Sequence, residues 1–122
     1  MSKIIAIGHA RVSKGDSEEI KNSLASQKRE ILNIIGNYGL QEDRIKWYIE
    51  EEARSAYSER SDWSVFNEAI AEACSNPDIK YFFDYSQERF CRNRLMSQHY
   101  KAKLRKAGVK LVFVSNNIDE PD

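Results

Sequence analysis

Lys3-Ile4-Ile5-Ala6-Ile7-Gly8 runs directly into His9-Ala10-Arg11-Val12-Ser13, and the reading of this stretch decides the fold. Residues 3–8 form a short apolar run closed by glycine, which predicts a strand buried on both faces of a largely parallel sheet. Arg11 and Ser13 then fall on a loop just past the C-terminal end of that strand, the edge at which open α/β sheets carry ligand chemistry. Arginine stays protonated at physiological pH and presents a planar fork of donors suited to phosphate. A hydroxyl two residues away reads as a nucleophile.

Working outward, Leu24, Ile31, Ile34, Ile35 and Tyr38 follow helical spacing between Ser23, a fitting N-cap, and Gly39, a fitting stop. A rival start lies at Asp16, with Glu19 completing a capping box. The later start is preferred, which leaves residues 14–22 as a polar loop. Ile45, Trp47 and Ile49 alternate with Lys46, Tyr48 and Glu50 as a second strand. Trp63, Phe66, Ile70, Ala73 and Cys74 line a helical face that Asn76-Pro77-Asp78 ends. Residues 79–85 make a third strand. A last helix over about 92–107 carries Leu95, Met96, His99, Tyr100, Leu104 and Ala107 on its apolar stripe, Gly108 stops it, and residues 109–114 form the final strand. This alternation predicts a three-layer α/β/α sandwich with a mainly parallel central sheet.

A chain of 122 residues fits one domain and can bury roughly two thirds of its unfolded surface. Nineteen Lys and Arg balance nineteen Asp and Glu, so no net positive field marks a nucleic-acid binder. Cys74 and Cys91 have neither a paired framework nor metal-ligand spacing and read as buried or half-buried thiols in a reducing cytosol. There is no apolar signal core and no stretch of membrane-spanning length, so the expected location is cytoplasmic, with no membrane partner.

Four short motifs recur in a telling order: His9-Ala10-Arg11-Val12-Ser13, Ser23-Leu24-Ala25-Ser26-Gln27, Ser55 to Arg60, and Arg89-Phe90-Cys91-Arg92-Asn93. Any one is common by chance; together, over nearly the whole chain, they resemble the catalytic domain of serine site-specific recombinases, the resolvase/invertase and large serine integrase family. The resemblance implies a resolvase-like domain over residues 1–122, with a DNA-binding region expected beyond Asp122. That region would supply the DNA affinity which a neutral charge balance does not.

The resemblance further implies that Ser13 attacks a phosphate of double-stranded DNA and holds the 5′ end as a phosphoserine ester. Bond energy is thereby kept for religation without metal, nucleotide or other cofactor. Arg11, Arg60, Arg89 and Arg92 would grip the scissile phosphate, and Gln27 would support the site from the first turn of the first helix. A homodimer, pairing into a tetramer on two recombination sites, is implied as well. The separate strand at Lys80-Tyr81-Phe82-Phe83 and the spacing from Arg60 to Arg89 lean towards the integrase or transposon type.

Three departures from the family pattern bear on activity. Glu88 stands where aspartate usually precedes the arginine matching Arg89. Ser55-Ala56 replaces Ser-Gly, with Ser61 in place of the proline after Arg60, and Ala56 reaches left-handed angles less cheaply than glycine. His9 replaces the usual tyrosine. Alternation along an extended segment puts His9, Arg11 and Ser13 on one side, which admits a general-base role, although filling the space of an aromatic ring is the stronger reading. His99 reads as packing, Trp63 and Phe66 as core rather than base-stacking residues, and Glu50-Glu51-Glu52 as a solvated turn rather than a metal site.

Two rivals stay open. A catalytically silent DNA-associated or oligomerisation module of the same fold would tolerate these departures. A phosphatase-type α/β enzyme would need a Cys-x5-Arg loop, and six residues after Cys91 stands Ser97.

Overall fold

The structure, a computed structural model, describes residues 3–11, 17–50, 64–91, 94–115 and 118–119. Five strands form one sheet: β1 (Ala6–Arg11), β2 (Ile45–Glu50), β3 (Tyr81–Asp84), β4 (Lys110–Phe113) and the two-residue β5 (Ile118–Asp119). The spatial order is β2-β1-β3-β4-β5, with every pairing parallel except β4 with β5. Helix α1 (Ser17–Ile34), continued by a 3-10 turn over Ile35–Tyr38, lies after β1. Helix α2 (Ser64–Ser75) precedes β3, and α3 (Gln87–Phe90) and α4 (Arg94–Lys106) lie between β3 and β4.

The three layers follow from the pleat, which sends successive side chains to opposite faces. Ala6, Phe83 and Val112 join Ile31 and Ile35 of the α1 segment in one core. Ile7, Phe82, Leu111 and Phe113 join Phe66 and Ile70 of α2, Phe90 of α3, and Tyr100 and Leu104 of α4 in the other. The α/β/α sandwich is therefore as the alternation predicts. On the second face, Phe66 meets Phe90 at 5.2 Å and Tyr100 at 4.9 Å, both edge to face, the preferred aromatic geometry.

Several boundaries differ from expectation. Strand β1 covers Ala6–Arg11 rather than 3–8, so Arg11 is the last residue of the strand and not a loop residue. Gly8 does not end the strand: a Cβ there would lie 2.5 Å from the Trp47 ring, so the glycine makes room for that side chain on β2. Helix α1 begins at Ser17, next to the rival start, because its first turns are polar and the apolar spacing marks only the buried part. The α-helix gives way to the 3-10 turn after Ile34, and that turn ends where the stop is expected, with Gly39 left-handed at φ 72 and its N–H bonded to the Gly36 carbonyl.

In α4 the buried stripe is Ser97, Tyr100 and Leu104. Leu95 is 82% exposed, and His99 and Ala107 are exposed as well, so His99 is not a packing residue. At about 100° per residue, Leu95 and His99 sit roughly opposite that stripe. Cys91 is buried as expected, whereas Cys74 is exposed, one position off the buried Phe66, Ala69, Ile70 and Ala73 face; neither forms a disulfide.

Candidate active site

The parallel pairing brings the C-terminal ends of β1, β2 and β3 to one edge, aligning Arg11 with Glu50 and His9 with Asp84. All four residues point to the α2–α4 side, and all four are buried: Asp84 and His9 fully, Glu50 and Arg11 at 4% exposure. The His9 ring lies against Phe66, edge to face at 5.3 Å, and Phe82 at 6.2 Å. It thus fills an aromatic space, as expected, but it does more.

Its Nδ1 lies 2.6 Å from Asp84 Oδ2 and its Nε2 lies 3.2 Å from Glu50 Oε2. Burial alone lowers the pKa of an imidazole. Here the Asp84 carboxylate, by charge and hydrogen bond, and then Glu50 outweigh it, raising His9 from 6.5 to about 9. A fully buried ring between two carboxylates is no solvent-facing general base. Glu50, expected in a solvated turn, instead bridges His9 and Arg11, whose Nε stands 3.8 Å from the same Oε2. Asp84 also accepts a hydrogen bond from the Tyr85 N–H at 2.9 Å.

Arg11 is pinned from the opposite layer too. The Gln27 amide accepts from the Arg11 N–H at 3.2 Å and donates to the Arg11 carbonyl at 3.0 Å, and it also donates to Ser23 Oγ at 3.2 Å. A side-chain amide here completes both backbone bonds of a strand-end residue, as a neighbouring strand would. Gln27 lies in the middle of α1 rather than its first turn, because the helix starts earlier. Its exposure is 3%.

Helix α3 follows β3 directly and carries Glu88 and Arg89 in its backbone; the placement of their side chains lies outside the described residues. Phe90 and Cys91 after them are buried, and the Gln87 amide ties the segment to the Cys91 carbonyl and Ser97 Oγ, each at 2.8 Å. Ser13, Arg60 and Arg92 lie outside the described residues, as do Glu51, Glu52, Ala56 and Trp63.

The structure thus brings together Arg11 and Gln27 of the residues expected at the site, and adds Glu50 and Asp84. No signal marked Asp84, which sits in an aromatic strand; its cue is its register with His9. Among the described residues no cluster of His, Cys, Asp and Glu fits a metal ion. None of their helices is long and apolar enough to cross a membrane.

Solved structures share this fold. A resolvase family site-specific recombinase from Streptococcus pneumoniae superposes with a TM-score of 0.74 at 23% identity, over 97% of this chain and 76% of that one. The N-terminal catalytic domain of TP901-1 integrase gives 0.72 at 16% identity, over 93% and 81%. The C-terminal catalytic domain of IS1535 TnpA, an IS607-like serine recombinase, gives 0.60 at 18% identity, over 89% and 70%. No curated protein matches significantly. The family model for the resolvase N-terminal domain matches residues 6–122, from the first residue of β1 onward, and takes in all four motifs. With the motif order, the sheet and this match in agreement, the chain belongs to the resolvase N-terminal domain family.

Proposed function

We propose that the domain cuts and rejoins double-stranded DNA at specific sites, with Ser13 as nucleophile. Membership of the resolvase family supports site-specific recombination in general. The observation that carries the finer reading is Arg11, a buried arginine anchored at the carboxyl edge of the sheet two residues before Ser13, its backbone tied to Gln27 and its guanidinium beside Glu50. A cation fixed in place before the reaction stabilises charge developing on a phosphate without reorganising.

In this reading Ser13 Oγ attacks phosphorus, the bond to the 3′ oxygen breaks, and the serine proton is passed on to leave a free 3′ hydroxyl. The 5′ phosphate stays esterified to Ser13. Attack by the 3′ hydroxyl of an exchanged strand reverses the step and frees the serine, so the bond count is unchanged and no cofactor is consumed. Arg11, with Arg60, Arg89 and Arg92, holds the non-bridging oxygens; Glu88 holds or orients Arg89. The domain works in the cytoplasm as a homodimer that pairs into a tetramer across two sites.

The test is recombination of a plasmid carrying two copies of the protein's own site by the full-length protein. Wild type yields recombinant product, and Ser13→Ala yields none while still binding the site. Equal product from both would overturn the assignment, and site binding without product from wild type would favour the silent module.

A further inference from the structure

We propose that His9 is a positioning residue: as an imidazolium it is the inner cation of a buried chain of alternating charges, Asp84–His9–Glu50–Arg11, that fixes the Glu50 carboxylate against the Arg11 guanidinium. The inference rests on the reading of Arg11 as a phosphate-gripping residue.

With Asp84 and Glu50 both ionised, the geometry requires the charge. Both ring nitrogens face a carboxylate oxygen, at 2.6 and 3.2 Å. A neutral imidazole has one N–H, so one of the two contacts would set a lone pair against a carboxylate. The doubly protonated ring donates to both. The elevated pKa near 9 agrees with this. Among the described residues, the charged groups around the ring are Asp84 from β3, Glu50 from β2 and, beyond Glu50, Arg11 from β1. Phe66 of α2 and Phe82 of β3 form its apolar walls.

Charge balance explains why the ring matters to the arginine. Among the described residues, two buried cations face two buried carboxylates, and Glu50 Oε2 is shared by His9 and Arg11. Without the imidazolium, Asp84 and Glu50 would oppose each other across the ring position with one arginine left to serve both. In a poorly hydrated site such an imbalance is relieved by moving a side chain or taking up a proton. Either change shifts Glu50 and, with it, Arg11.

The test uses the full-length protein with histidine ring nitrogens labelled, and three variants: His9→Gln, Asp84→Asn and the double variant. Nitrogen NMR at pH 7.5 is expected to show both His9 ring nitrogens protonated; a neutral ring overturns the proposal. For cleavage of the protein's own site, His9→Gln is expected to lower the rate at saturating DNA at least tenfold with site affinity within twofold of wild type. His9→Gln/Asp84→Asn, which restores one carboxylate to one arginine, is expected to recover most of that loss. A double variant no faster than His9→Gln overturns the proposal. Should His9→Gln be folded but too unstable for cleavage assays, the same comparison is made by melting temperature, where the double variant must melt higher than the single; should it not fold at all, a double variant that also fails to fold overturns the proposal. Absence of cleavage by wild type would count against the recombinase reading instead, and the ring charge and melting temperatures would still decide the His9 chain.

Discussion

Raising the pH from 6.5 to 9 should unlock this domain from within. His9 titrates at about 9 in the folded protein against 6.5 in the unfolded chain. Because the folded pKa is the higher, the stabilisation is fully present below 6.5 and is lost as pH rises towards 9; within that window the folded state holds a proton that the unfolded state has released. At 1.36 kcal/mol per pH unit, the interval amounts to about 3 kcal/mol, a large share of the stability of a small domain. Urea unfolding at half-unit steps, followed by fluorescence, measures it. With a slope of about 1–3 kcal/mol per molar urea, the midpoint should fall by roughly 1 M or more over the window. Subtracting the same series for His9→Gln removes groups common to both, including the Cys74 thiol, whose pKa is raised by partial burial of the sulfur. A difference curve that stays flat from pH 6.5 to 9 would refute a buried imidazolium.

Other substitutions probe the same edge and its supports. Gly8→Ala drives a methyl to 2.5 Å from the Trp47 ring and should cost about 1–3 kcal/mol, read as a lower melting temperature. Gln27→Ala leaves the Arg11 N–H and carbonyl without their amide partner; a loss of about 1–3 kcal/mol in denaturant unfolding, with slower cleavage of DNA, is expected. Leu95→Gln, on the exposed face of α4, should leave stability within about 0.5 kcal/mol of wild type in the same assay.

Much of the sandwich was legible because burial writes apolar periodicity into sequence. Strand β2 runs over the expected Ile45–Glu50, and Phe66 and Ile70 mark the buried face of α2. Where burial is polar, the signal vanishes. His9 and Arg11 extend β1 past its apolar run because Asp84, Glu50 and Gln27 satisfy them, and those partners lie 16 to 75 residues away. Glu50 reads as solvated from the sequence, as the first of three glutamates, yet it lies within β2 and is buried. In α4, Tyr100, Leu104 and the half-buried Met96 pack on the core as the spacing predicts, while Leu95, His99 and Ala107 are exposed and a buried serine, held by Gln87, completes the stripe. Arg11 and Gln27 were legible at the site because family motifs carry them; Asp84 was not, since only strand register sets it beside His9.

Whether Ser13 carries the chemistry is decided by trapping the full-length protein on DNA spanning its own site, quenching in denaturant and sequencing the adducted peptide. A 5′-phosphate ester on Ser13, a free 3′ hydroxyl on the other side of the break, and no adduct from Ser13→Ala are expected. An adduct on another residue, or strand cleavage that persists in Ser13→Ala, would contradict it.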